Sequence, residues 1–438
     1  MSIDSSWLSR SQLSLTGGSV VERIGLSNGI GLVIVPNPVA DVVAARCFFR
    51  GGSSVERGDR AGVAALMAAV LTKGTHQRSS RDIANEVESL GAGLGAESTP
   101  DYFEMSFKCV ADDFPRMLAL VAEILRQPTF PEREVERERK VAQQALQARR
   151  ERPFTLAYER VRRELYGPYH PYARSTIGTL QSLADIDRGD LVEYHHTFLQ
   201  PDRLTIAIAG KIEPDNALRL TDEYFGDWST TATPAISAPI NLPQRDRAIL
   251  YETPQETQQA IVMLGFRGAP ALSPDYVSLK VLGTYLGNGS SSRLFVELRD
   301  KLGLAYEVTS LYATRCDEAP FLAYLGTTPD NTSVALAKLR HELELLSQAP
   351  LQAADVDSAQ RKMLGQYALG KQTNDQLAQT LGWYESLGLG VEFDAVFPEA
   401  IASVTPERLQ AVAQTYLRYP VISVAGPQTV LNSLKVPH

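Results

Sequence analysis

No run of about 18 apolar residues occurs in the 438-residue sequence, which excludes an ordinary membrane-spanning helix. Cysteine is scarce. Cys47, Cys109 and Cys316 lie far apart, show no C-x-x-C spacing and leave one thiol odd, so no disulfide framework is indicated and each reads as a small core residue. Histidine offers little to a metal: among His76, His170, His195, His196, His341 and His438 no two are four residues apart, and none sits near a cysteine. Adjacent His195 and His196 would point to different sides of a helix. Positive charge is in deficit as well, since a net charge of −8 argues against nucleic acid and mildly favours neutral or basic partners. The first residues, "MSIDSSWLSRSQLSLTGG", lack the apolar core of a secretory signal and are too weakly basic for a transit peptide, so a cytoplasmic location is expected.

What is present is an ordinary globular composition, 44% hydrophobic and 21% charged, in a chain long enough for two or three domains. Short phrases recur in the same order at an offset near 220 residues. "FFRGG" at 48–52 answers "GFRGA" at 265–269, "RKVAQQAL" at 139–146 answers "RKMLGQYAL" at 361–369, and "HTFLQPDRLTIAIAG" at 196–210 answers "QTYLRYPVISVAG" at 414–426. The preserved order predicts a duplication: a first domain over 1–228, a Thr/Ser/Ala/Pro-rich linker over 229–247 and a homologous second domain over 248–438. Each half mixes alternating apolar stretches such as "GIGLVIV", "RLTIAIAG" and "AIVMLGF" with long helical ones such as "DDFPRMLALVAEILRQ" and "NTSVALAKLRHELELLSQ". The expected class is α+β: two homologous sandwich, or roll, domains, each a mostly antiparallel sheet covered by helices.

Two stretches carry the functional content. The first, "GVAALMAAVLTKGT" at 62–75, follows "GSSVE" and reads as a buried helix ending at Gly74, with Ala65, Ala68 and Ala69 on one face. Taken alone it is a well-packed core segment of high helix propensity. With its flanks it resembles the pitrilysin/insulinase superfamily of zinc peptidases, closest to the short branch that includes the mitochondrial processing peptidases and their bacterial relatives. The family pattern G-x-x-x-E followed by G-L-A-H-x-x-E-H-x-x-x-K-G-T fits without a gap from Gly52 and Glu56 through Lys73, Gly74 and Thr75. The resemblance puts the two zinc-binding histidines on Ala65 and Ala69, the general-base glutamate on Ala68, and the third zinc ligand, in "ERERKVAQQALQ", on Ala145. Residues four apart on one helix face let two imidazoles grip one zinc ion while the glutamate handles its water. Alanine has no lone pair to offer, so no metal is expected in this chain. Glu138 matches a further acidic position of the family and reads as a helix-surface or outer carboxylate.

The second stretch, "LGNGSSSRLFVELRDKLGLAYEVTS" at 286–310, matches the longer family pattern S-R-L-x-x-x-L-R-x-x-x-G-L-A-Y. Ser291 or Ser292 can cap its helix, Gly303 can stop it, and "LAYEVTS" then enters a strand. Phe295, Arg299 and Leu302 fall at i, i+4 and i+7, which places a guanidinium in an apolar stripe where it needs a partner. The resemblance implies that Arg299 binds substrate carbonyls or carboxylate and Tyr306 donates its hydroxyl to the developing oxyanion, while Arg293 belongs to the same substrate-binding motif but by spacing is more structural. It also implies an edge strand for substrate pairing within "LGAGLGAESTPDYFEMSF" at 90–107, at Gly95, Ala96 and Glu97, with Gly95 where an asparagine is usual. The long glycine-rich loop of the mitochondrial substrate-binding subunit is reduced here to "GNGSSS".

The expectation is therefore the zinc-less, non-catalytic subunit of a heterodimeric zinc endopeptidase, forming half of a clamshell chamber. A homologous partner would supply H-x-x-E-H and the zinc, the substrate would be a peptide or unfolded polypeptide, and neither nucleic acid nor membrane is expected. A structural scaffold or a peptide-binding protein of the same fold is the alternative.

Overall fold

The computed structural model describes residues 9–14, 20–231, 242, 244–432 and 434, so most of the linker expected at 229–247, and His438, lie outside the described residues. Two compact units emerge, and each takes one helix from the other half of the sequence. Unit 1 comprises Met1–Leu146, Ser175–Ala238 and Ala368–Val396; unit 2 comprises Gln147–Arg174, Pro239–Tyr367 and Phe397–His438.

Unit 1 is built on a seven-stranded sheet of β1 (Ser9–Ser14), β2 (Val20–Gly25), β3 (Gly31–Pro36), β4 (Val42–Arg50), β5 (Gly93–Ser98), β6 (Tyr102–Val110) and β7 (Leu204–Gly210). Their order is β1-β2-β3-β7-β4-β6-β5. Unit 2 has five strands, β8 (Ile249–Pro254), β9 (Ala260–Gly268), β10 (Glu307–Tyr312), β11 (Ala319–Thr327) and β12 (Val421–Gly426), in the order β10-β11-β9-β12-β8. Read backwards, that is the order β8-β12-β9-β11-β10, which repeats β3-β7-β4-β6-β5 of unit 1 strand for strand. The recurring phrases land on matching strands: "FFRGG" closes β4 and "GFRGA" closes β9, while the "IAG" and "VAG" endings lie in β7 and β12. Both sheets are mixed in the same way, with a single parallel pair each, β3 with β7 and β8 with β12.

The central strands are apolar on both faces because both faces are covered. On one side of the first sheet, helices Val63–Leu71 and Phe114–Arg126 bury Leu66, Met67, Val70, Met117, Leu118 and Val121 against Ile34, Cys47, Phe49 and Phe107. On the other side lies helix Asn374–Ser386, from the C-terminal half of the sequence, where Ala378 and Leu381 meet Val33, Val35 and Ala207. It docks at Gly382, where a Cβ would come within 2.4 Å of the Phe48 ring and 2.8 Å of Ala207 Cβ. Polar groups fix its register. Arg46 on β4 donates to Asp375 at 2.8 and 2.9 Å and also reaches Gln379 and the buried Glu104. The second sheet repeats the device in reverse: helix Pro153–Tyr166, from the N-terminal half, packs Ala157, Val161 and Leu165 on Met263 and Leu322. There the close approach falls on Gly265 of β9, where a Cβ would lie 2.2 Å from Val161 Cγ1.

Candidate functional site

The alanine helix runs Val63–Leu71 and ends three residues before Gly74, which instead bridges to Ser79. Its start is set by Gly62, whose φ of 98° is the left-handed conformation that glycine tolerates best. A Cβ there would also press within 2.8 Å of the Ile177 carbonyl oxygen. Glu56 supplies the cap that a serine or aspartate usually provides: its buried carboxylate accepts from the backbone N–H of Gly62 at 2.9 Å and of Ala64 at 2.8 Å. The sequence had pointed to Glu56 as a signature position without a role. Its signal was an acid placed just upstream of a helix start.

On this helix Ala65 is half-buried, Ala69 is exposed, and Ala68 turns inward at 6% exposure. Ala145, on helix Glu132–Arg150, is exposed. Methyl groups therefore stand at the four positions to which the resemblance assigns the zinc machinery, and the chemistry of that set does not fit a zinc ion, which needs nitrogen, oxygen or sulfur donors. Among the described residues no group of three or more His, Cys, Asp or Glu side chains is placed to hold a metal. Glu138, on the same long helix as Ala145, faces Lys73 Nζ at 3.7 Å. The histidines are occupied or dispersed: the ring of His195 donates from Nε2 to the Leu125 carbonyl at 2.7 Å, His170 Nδ1 accepts from Tyr172 N–H at 3.1 Å, and His196 is exposed. Burial holds the pKa of His195 below its ordinary value, the Leu125 carbonyl opposing and His196 adding to the shift.

In unit 2 the second motif departs from expectation in two ways. Residues Phe295–Lys301 wind as a π-helix, whose wider turn is common at functional sites. The buried stripe passes through Leu294 and Leu298, both fully buried, while Phe295 is half-buried, Arg299 is exposed and Leu302 is 48% exposed. Arg299 thus needs no buried counter-charge. Its guanidinium lies 4.7 Å from the centre of the Phe295 ring, and among the described residues no carboxylate is within ion-pair distance of it. Neither serine caps the helix as expected: Ser291 is exposed, and Ser292 Oγ is buried without a hydrogen-bond partner among the described residues. Gly303 does end it, at a φ of 60° with its N–H on the Arg299 carbonyl at 3.0 Å.

Tyr306 sits just before β10, anchored by its backbone N–H to the Gly326 carbonyl at 3.0 Å, and its side chain is 53% exposed. Arg293, by contrast, is engaged: it pairs with Glu342 at 2.7 Å and Glu297 at 3.1 Å, and these acids keep its guanidinium charged against partial burial. Back in unit 1, β5 is the outermost strand, with β6 on one side and no strand on the other among the described residues. Gly95 and Ala96 are half-buried and Glu97 is exposed. A Cβ at Gly95 would meet only Ser106 Oγ, at 3.7 Å, so space does not demand glycine there.

Comparison with known proteins agrees with this fold. Insulinase (peptidase family M16) matches residues 32–179, and the peptidase M16 inactive domain matches residues 185–363. An uncharacterized zinc protease of Bacillus subtilis is 25% identical over 396 residues, covering 90% of this chain and 95% of that protein. One of Mycobacterium bovis is 27% identical over 421 residues, covering 94% of each. Among solved structures, a peptidase M16 inactive domain from Pseudomonas fluorescens has the same fold at a TM-score of 0.87 and 24% identity, covering 95% of this chain and 100% of that one. A protease from Helicobacter pylori matches at 0.87 and 23%, covering 93% and 99%. With family matches spread from residue 32 to residue 363 and relatives that follow about nine-tenths of its length, the chain belongs to the M16, or insulinase, family of peptidases.

Proposed function

We propose that this chain is the zinc-less subunit of a heterodimeric zinc endopeptidase acting on short or unfolded peptides, its homologous partner carrying H-x-x-E-H. The half over 1–228 holds the emptied zinc site, and the half over 248–438 brings Arg299 and Tyr306 to the partner's active site. What carries the reading is one contrast: donor atoms are missing at Ala65, Ala68, Ala69 and Ala145, while Arg299, over the Phe295 ring, and Tyr306 are both exposed. Zinc and the general base belong to the partner in this arrangement. Arg299 hydrogen-bonds the substrate backbone or carboxylate, and Tyr306 donates to the oxyanion that develops on the scissile carbonyl. The open edge of β5 suits main-chain pairing with an extended peptide. Three cysteines without disulfides suit a reducing compartment such as the cytoplasm.

The test is peptide cleavage by this chain alone, by a partner bearing H-x-x-E-H, and by the two co-expressed. Activity is expected from the pair and not from this chain alone. Full activity of the pair after both Arg299→Ala and Tyr306→Phe would remove the shared-site reading and leave a scaffold, and stoichiometric zinc in the isolated chain would overturn the reading of the alanines.

A further inference from the structure

Unit 2 also carries a concave region that involves neither Arg299 nor Tyr306. Two adjoining cavities of about 550 Å³ each share Phe266, Arg418 and Tyr419 in their walls. The fold brings them together at one end of the second sheet. β9 contributes Leu264 and Phe266, the segment entering β8 contributes Arg245 and Arg247, helix Thr332–Gln348 contributes Arg340, and the turn leading into β12 contributes Leu417, Arg418 and Tyr419. The result is an apolar wall beside a concentration of guanidinium groups.

The charges there do not balance. Five arginines, Arg245, Arg247, Arg267, Arg340 and Arg418, line the two cavities against three carboxylates, Asp246, Glu318 and Glu344. Two of those acids are taken: Glu344 accepts from Arg340 Nε at 2.6 Å, and Glu318 lies 3.4 Å from Arg267 Nε. Among the described residues no carboxylate lies within ion-pair distance of Arg245, Arg247 or Arg418. Arg245 is half-buried, and burial followed by the like charge of Arg267 pushes its pKa down, with Tyr251 and Glu164 opposing. A partly desolvated guanidinium facing another cation is costly until an anion arrives. The excess is local, since the chain as a whole carries −8. Arg418 is also held in position, its Nη2 donating to the Tyr419 hydroxyl at 3.1 Å with the guanidinium 5.1 Å from the ring centre. Tyr419 adopts a φ of 53°, a backbone conformation shared by only one other non-glycine among the described residues, Phe130.

We infer that this region binds a small amphipathic oxyanion, a phosphate or carboxylate head on an apolar or aromatic body. Guanidinium forks match the paired oxygens of either head group, and a mostly apolar wall with a few convergent polar groups is the usual form of a small-molecule site.

The inference is tested by calorimetric titration of the full-length protein with phenyl phosphate, phenylacetate and inorganic phosphate. At least one phenyl-bearing anion is expected to bind more tightly than inorganic phosphate, and whichever binds better names the head group. Arg418→Gln and Arg245→Gln are each expected to weaken that binding about tenfold, while Arg219→Gln, the same charge change on a distant surface arginine, leaves it unaltered. If either variant melts early, the exposed Arg247→Gln takes its place. Absence of binding by both organic anions, tighter binding of bare phosphate, or an equal loss in Arg219→Gln and Arg418→Gln would overturn the assignment.

Discussion

The helix Val63–Leu71 and the segment Phe295–Tyr306 are the two signature regions of this chain, and they have kept opposite things. The first retains its frame: Gly62 still makes the left-handed entry, Glu56 still caps the helix with a buried carboxylate, and the helix still packs on the sheet. Alanines stand where the resemblance puts the groups that would touch a metal. The second presents exposed groups, with Arg299 over the Phe295 ring at the surface and Tyr306 more than half exposed. The lesson is a criterion. A polar residue held for stability is buried and partnered, as Glu56 and Arg293 are, whereas an exposed pair inside a specific motif points to something outside the chain.

The largest effect that separates the two regions is on activity. Tyr306→Phe or Arg299→Ala is expected to lower turnover of the co-expressed pair about 100-fold, roughly 3 kcal/mol of transition-state stabilisation, with the melting temperature of this chain unchanged. Glu56→Ala should do the reverse. Losing two hydrogen bonds to buried N–H groups at a helix start is expected to cost about 2 kcal/mol in denaturant unfolding, with any fall in activity following the fall in folded protein. Next come the docking glycines, which compare the two exchanged helices. Gly382→Ala and Gly265→Ala each force a methyl into occupied space and should cost about 1–3 kcal/mol. Gly382→Ala is the milder of the pair, because alanine recovers up to about 1 kcal/mol of helix propensity. Equal stability of both variants and the native chain would mean that these helices are not tightly docked.

A smaller effect is pH-dependent. Burial favours neutral His195, so in the folded state it binds a proton less readily than in the unfolded state. Stability from this group is therefore complete above about pH 7 and falls as the pH drops through the ordinary histidine range, which urea midpoints between about pH 7.5 and about pH 5.5 would record. His195→Gln should flatten that slope, and His196→Gln should reduce it much less. The smallest effect belongs to Lys73, next to the alanine helix: Lys73→Met breaks a half-buried ion pair of 3.7 Å and should change stability by less than about 1 kcal/mol.

Much of this was legible in the residues. Alternating apolar stretches marked β3, β7 and β9, Gly303 marked a helix stop, and recurring phrases 220 or so residues apart announced a duplication that the two sheets repeat strand for strand. Ala65, Ala68, Ala69 and Ala145 could equally be read as non-ligands, because a side chain without a lone pair cannot coordinate in any fold. The end of the first helix was misjudged at Gly74, since a local stop signal says little about where packing ends a helix.

By itself, then, the sequence determined the strand pattern, the doubling and the chemistry that is absent, all of which are properties of single residues or of their spacing. Tertiary structure alone decided that each sheet is covered by a helix from the other half of the sequence, that Arg299 faces outward while Leu298 is buried, and that Arg245, Arg247, Arg340 and Arg418 converge beside Phe266. Those outcomes rest on contacts between residues far apart in the chain, such as Val161 with Met263 and Ala207 with Leu381, and no local period encodes them.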